Sequence, residues 1–350
     1  MYRTLTHYTP AALIRRTRTL PLEGDVLVKI GQKVQATEII AEAPVPSRHT
    51  VVDLAQSLGL RDVARVRQAL KRQVGESVQQ GDVLAEVRGL FTRVVRAPAD
   101  GSVVALAEGK LVLEEQSDKL RLRAGLPGIV TELIPTRGAV ITSQGLLIQG
   151  VWGNGQVDSG PLRHLEADPQ APLEAAALDV SLRGAVLLAG ACGDSAALRA
   201  ALDLPVRGLI LGSLAPELLA LAETAAQPII LLEGFGGAPI HPVVYQLLAE
   251  NLGQEATLSA TPWDPGQGER PEVFIAQGQE AQPLEDKAEL EVGRSVRLLS
   301  APHFGEIGTV VELRRNEHLP NGVRAAVAMV QLEDQERVGV PIQNLELMDL

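Results

Sequence analysis

The chain has 350 residues, 45% of them hydrophobic and only 3% aromatic, with a formal net charge of −11. This excludes a disordered chain and a surface built mainly on base stacking. The one cysteine, Cys192, excludes an intramolecular disulfide and a cysteine-rich zinc site, and the six histidines show no HxH or HxxxH spacing, so no metal is expected.

The charge is unevenly spread: net +5 over residues 1–125, −13 over 126–290 and −3 over 291–350. The whole chain is therefore not expected to grip nucleic acid. No apolar run reaches the length of a membrane span. The start, MYRTLTHYTPAALIRRTRTL, lacks the apolar core of a secretory signal. No membrane contact is expected, and a cytoplasmic location is the default expectation.

Residues 1–23 read as an N-terminal extension. An internal repeat follows. VKIGQKVQATEIIAEA (28–43) aligns with RQVGESVQQGDVLAEV (72–87), placing Gly31 on Gly75, Val34 on Val78, Glu38 on Asp82 and Ile40 on Leu84. Each copy reads as a glycine turn, an alternating strand, a polar turn and an apolar strand. Such a unit cannot bury its apolar face alone, so the two copies are expected to close on each other. Between them, residues 49–73 read as a helical hairpin, with Thr50 as the first cap and Gly59 as the break. Arg61, Arg65 and Arg72 are expected near one exposed stripe, as a docking surface for a partner.

The second copy continues into APADGSVVAL (97–106). This series resembles the biotinyl/lipoyl-like barrel-sandwich hybrid over about residues 24–115. The resemblance implies a carrier lysine at the hairpin tip. The linking segment RGLFTRVV (88–95) has no lysine, so no biotin or lipoate is expected, nor any other cofactor.

Residues 126–164 read as a β extension and 165–289 as an acidic α/β domain. GAVLLAGA (184–191), RGLILGSL (207–214) and PIILLEGFG (228–236) are continuous apolar runs, the pattern of strands buried on both faces. Helical segments 194–202, 215–226 and 241–253 alternate with them, with Asp194 as a cap and Pro216 in a first turn. PEVFIAQ (271–277) is expected as a fourth strand of this parallel sheet. Ligands of such sheets sit beyond the carboxyl ends of the strands. The candidate ligand-binding residues there are Cys192, Gly193, Glu233, Gly234, Gly236 and Gly237. They match neither a P-loop nor a dinucleotide fingerprint, and no catalytic constellation is evident.

The segment VGRSVRLLSAPHFGEIGTVVEL (292–313) resembles the KOW motif, which opens an SH3-like barrel in NusG-type factors and several ribosomal proteins. The resemblance covers residues 290–350. It implies contact with RNA or with a protein, for which Phe304, Arg314 and Arg315 are the candidates. Gly308 is expected to serve a sharp turn.

The expected architecture is multidomain, β-rich plus α/β. It comprises a barrel-sandwich hybrid (24–125) with a helical insert (49–73), the β extension (126–164), a small parallel α/β module (165–289) and a C-terminal SH3-like barrel (290–350). The expected function is a non-catalytic adaptor docking on a larger assembly, such as the transcription or translation machinery. The alternatives are a small-molecule-binding protein or enzyme using turns 191–195 and 233–239, and a self-assembling structural subunit. The expected partner is a protein, with RNA and a second copy of the chain as alternatives.

Overall fold

The computed structural model describes the chain apart from residues 1, 46, 89–91, 116–118, 167, 169, 265–268, 279–281, 285–286, 320, 333 and 350. It is β-rich, with several sheets and a few short helices. Among the described residues, no helix is long and apolar enough to cross a membrane. Two compact units form. The larger holds Met1–Thr19, Val26–Ile40 and Leu122–Leu350, and the smaller holds Leu20–Asp25 and Ala41–Arg121.

In the larger unit the first residues are structural. Tyr2–Thr19 is one long strand, antiparallel to Gly138–Gln149 and parallel to Leu345–Asp349. Leu5 packs into the core of the C-terminal strands, while Ala12 and Ile14 pack with Val130 and Ile141. Local patterning reads the segment as polar and basic. Its pairing is decided by strands more than a hundred residues away.

The strands Val186–Cys192, Gly208–Leu214 and Ile229–Phe235 are parallel neighbours in that order. Leu187, Leu209 and Leu231 face one apolar cluster with helix Ser195–Asp203, and Leu188, Ile210 and Ile230 face another with helix Pro242–Ala249. Burial on both faces is why these runs lack polar alternation. Asp194 caps its helix as expected, accepting from Ala196 N–H, and Pro216 opens a short 3-10 turn before helix Leu219–Glu223. The fourth parallel strand differs from expectation. It is Val157–His164, paired beside Val186 through Leu162. Glu272–Ala276 is instead antiparallel, to Glu255–Ser259 and Gly138–Gln149. An apolar run reports burial but not strand direction.

The C-terminal residues form strands Ser295–Leu298, Ile307–His318, Arg324–Leu332 and Arg337–Pro341, a 3-10 turn Ile342–Asn344, and strand Leu345–Asp349. The first four pair antiparallel in succession, and the last pairs antiparallel with the first through Val296 and Leu347. Gly308 is not at a positive φ, so the turn reading is corrected. Gly305 is, at +87°. A Cβ on Gly308 would lie 2.6 Å from the carbonyl oxygen of Gln331 and from Val330 Cγ1. Glycine is needed there because the neighbouring strand comes close.

The repeat is real in three dimensions. Gly31 and Gly75 both adopt positive φ, +83° and +93°. The amide of Gly31 donates to Val130 O at 2.7 Å, and that of Gly75 to Val103 O at 2.7 Å. Glu38 accepts from Gln35 N–H and Asp82 from Gln79 N–H, each at 3.2 Å. The copies do not share one core as expected. Val34 and Ile40 pack with Ala124 and Val130, whereas Val78 and Leu84 pack with Ala97 and Val103. Each copy closes on its own downstream partner, because Ala97, Gly101 and Val103 are matched by Ala124, Gly128 and Val130.

In the smaller unit, Thr50 lies in strand His49–Asp53 and caps nothing. Asp53 caps helix Leu54–Leu58, and Gly59 ends it in the left-handed conformation. Asp62 caps the second helix, Val63–Ala69. That helix ends before Arg72, and Arg61 precedes it. The three arginines therefore do not form one helical stripe.

Candidate functional site

A pocket of about 400 Å³ opens within the larger unit, with Glu233, Arg297, Glu346, Arg270, Trp263 and Phe304 in its walls. Four separate stretches build it. Glu233 lies in the third parallel strand, Ile229–Phe235, Arg297 in Ser295–Leu298 and Glu346 in Leu345–Asp349, and Trp263 and Arg270 precede Glu272–Ala276. The N-terminal strand adds Thr6 and Tyr8 beneath.

The floor is a connected ionic network. Arg297 donates to Glu233 Oε2 at 2.8 Å, to both its contacts on Glu346 Oε2 at 2.6 and 2.9 Å, and to Tyr8 Oη at 3.0 Å. Arg270 donates to Glu346 Oε1 at 3.0 Å and to the Thr6 hydroxyl. His241 N–H donates to Glu233 Oε1 at 3.2 Å. The side chains of Arg270, Arg297 and Glu233 are only 2%, 4% and 6% exposed. Such burial is tolerated because each charge meets a partner.

Burial pushes the Glu233 carboxyl up, and Arg297 and the His241 amide only partly oppose it. Burial also acts on Glu346, but Arg297 and Arg270 outweigh it and hold that carboxyl below its ordinary value. Burial drives the Tyr8 phenol upward, so it stays neutral. Arg297 stays charged against its own burial because Tyr8, Glu346 and Glu233 surround it.

The rim is apolar. Trp263 is 45% exposed, Phe304 54% and Leu299 42%. The Arg270 guanidinium lies over the Trp263 ring, 4.4 Å from its centre. Nearby in sequence, Phe235 follows Glu233 and meets Trp152 edge-on at 6.0 Å. Every carboxylate oxygen of the floor already accepts a hydrogen bond from inside the network. The arrangement therefore presents an apolar seat over a neutralised base, suited to holding a group in place.

Of the sequence-derived candidates, Glu233 and Phe304 meet in this pocket. Cys192 does not take part. It is fully buried, its thiol faces the carbonyl of Asp194 at 3.8 Å, and burial pushes it up to about 11. Gly234 adopts φ +104° at a register shift within its strand and Gly236 φ +128° in the bend that follows, and the Gly236 amide already donates to Leu214 O at 2.9 Å. Gly193 and Gly237 have open space where a side chain would be. Arg72 pairs with Asp82 at 2.9 Å, and Arg61 and Arg65 are exposed. Arg314 is neutralised by Glu312 at 2.9 Å and Glu317 at 3.6 Å, while Arg315 is exposed.

Sequence reasoning misses Trp263, Arg270 and Glu346, and reads Arg297 as a surface base. One signal was available: Trp263 is one of two tryptophans in an aromatic-poor chain, in a polar Gly/Pro stretch where no core position is expected. Comparison with models of known protein families and with curated proteins finds no match.

Proposed function

We propose that the protein is a non-catalytic adaptor that docks on a partner protein through the Trp263–Phe304 pocket. The observation carrying this reading is the exposure of scarce aromatics. Among the tryptophans and phenylalanines with described side chains, Phe235, Trp263 and Phe304 are about half exposed, while Phe274, like Tyr8, is buried in cores otherwise filled mainly by Leu, Val, Ile and Ala. Aromatic anchors over a desolvated base are the usual hot spots of interfaces. The floor's charges neutralise one another, so a charged group entering the seat would lose its hydration without gaining an unpaired counter-charge. The seat therefore favours an uncharged apolar side chain.

The wider architecture supports the same reading. Five antiparallel strands with a 3-10 turn before the last, and a last strand pairing with the first, are what an SH3-like barrel requires. That order supports our reading of residues 290–350 as a KOW-type barrel. The duplicated turn-and-strand units support the lipoyl-like resemblance, and with no lysine in segment 88–95 we read that unit as a docking module rather than a carrier. Its residues 89–91 lie outside the described residues. Of the two C-terminal candidates, Arg314 is paired with Glu312 and Glu317 and only Arg315 is left, which makes RNA the weaker partner. The pocket volume also suits a small ligand, which is the second reading.

The test is affinity isolation from the native host with wild-type protein, a Trp263→Ala/Phe304→Ala variant and an Arg61→Glu control, followed by reconstitution of the complex from purified components. Adaptor function requires a partner that binds directly, is lost from the double variant and is kept by the control. A partner indifferent to the pocket, or a metabolite recovered in its place, ends the adaptor reading.

A further inference from the structure

The smaller unit carries a second surface that the pocket reading does not use. A groove of about 360 Å³ lies beside the end of helix Val63–Ala69. One wall carries Arg67, Lys71 and Arg72, and the apolar part is made by Leu70, Val74 and Leu106. Val74 is 59% exposed.

The cations are incompletely matched. Arg67 is exposed and makes no ion pair among the described residues. Among the described residues Lys71 reaches only Glu86, at 3.9 Å. Arg72 pairs with Asp82 at 2.9 Å and with Glu76 at 4.0 Å, and its buried Nε has no hydrogen-bond partner among the described residues. Glu76 is the single carboxylate in the lining. Within the lining three cations thus meet one carboxylate beside an apolar trough, while Glu86 and Asp82 reach Lys71 and Arg72 from outside it.

We infer that this groove is a docking site for an acidic segment of a partner protein, in which carboxylates flank a leucine-like anchor. Charge complementarity selects the acid and steers its approach, and the trough of Leu70, Val74 and Leu106 takes the anchor. Nucleic acid fits less well. Three cations release few counterions, and the groove offers no aromatic face on which a base would stack. The site is independent of the Trp263 pocket and stands or falls separately.

The test uses the isotope-labelled full chain, read by amide NMR. The probes are the capped hexapeptide Asp-Glu-Leu-Leu-Asp-Glu, its Lys-for-acid counterpart, an acidic peptide with Gly and Ser in place of the leucines, and oligouridylate. The acidic leucine peptide is expected to shift amides within 67–76 and 103–111 and to weaken with added salt. Arg67→Glu is expected to weaken it at least about fivefold without lowering the thermal midpoint, because Arg67 has no partner to lose. Glu76→Gln is expected to tighten it. Four outcomes overturn the proposal: no shifts, equal binding of the leucine-free peptide, equal binding of the basic peptide, or tighter oligouridylate binding at the same amides. A fifth is self-association of the chain that Arg67→Glu abolishes, which would make a second copy the occupant.

Discussion

Arg297 bridges Glu233 and Glu346 at 2.8 and 2.6 Å, tying the last strand of the parallel sheet to the C-terminal strands. The three residues come from positions far apart in the chain, and each is short of solvent. The network therefore fixes how the walls of the pocket stand relative to each other. Breaking it by removing one member leaves uncompensated buried charge. Arg297→Leu is expected to destabilise by about 3–5 kcal/mol. Replacing Arg297, Glu233, Glu346 and Arg270 together with apolar residues of similar size is expected to cost less than the single change, because no buried charge is then left without its partner. Urea unfolding of both variants checks this, and a quadruple variant weaker than the single one would refute it.

Acid sensitivity follows from the sign of each shift. Burial pushes Glu272 and Glu346 upward, but Arg16 on the first and Arg297 on the second outweigh it, so both carboxyls lie below the ordinary value of 4.5. Their stabilisation is present above 4.5 and is lost as pH falls through the folded-state value. Glu233 is shifted the other way by burial, so its contribution is present below 4.5 and is lost as pH rises through its folded value. Stability should fall on acidification below 4.5. Glu272→Gln should flatten that fall at the expense of stability at neutral pH, and Glu233→Gln should leave it unchanged. Unfolding midpoints measured from about pH 3 to about pH 8 decide the matter.

Gly308 and Gly305 are expected to fail for different reasons. Gly308→Val drives a side chain into Gln331 O and Val330 Cγ1, each 2.6 Å from the Cβ position. A loss of about 2 kcal/mol or more is expected, as for other overpacked sites. Gly305→Ala meets open space and pays only for positive φ, about 1 kcal/mol. Equal losses in thermal denaturation would show that the close strand approach is not what selects glycine at Gly308.

Phe304→Ala should leave the fold nearly unchanged, within about 1 kcal/mol, because the ring is 54% exposed. Partner binding should drop at least about tenfold if the ring is an anchor. Calorimetry of the purified complex and denaturation of the free protein separate the two effects. A variant that unfolds easily would make Phe304 a core residue.

Cys192 should resist alkylation in the native state at pH 8. Burial both shields the thiol and pushes it up to about 11, so little thiolate forms. Modification followed by intact mass should proceed only in denaturant. Rapid native labelling would reopen a chemical role for the turn at 191–195.

Local chemistry determined much of this molecule before folding is considered. The apolar runs at 184–191, 207–214 and 228–236 carry the pattern of strands covered on both faces. Asp194 and Gly59 mark helix ends by their own hydrogen bonding and backbone freedom. The repeat was legible because matched turns need glycine at Gly31 and Gly75 and an acidic side chain at Glu38 and Asp82. Tertiary structure decided the rest. Strand direction at 272–276, the partner of each repeat copy and the pairing of Tyr2–Thr19 depend on which distant edge is free, and no local pattern encodes that. The pocket is the sharpest case. Arg297 reads as a surface base until Glu233, Glu346 and Tyr8 converge on it. A buried charge is stable only where its partners arrive from elsewhere in the chain, so the site exists only in the folded protein.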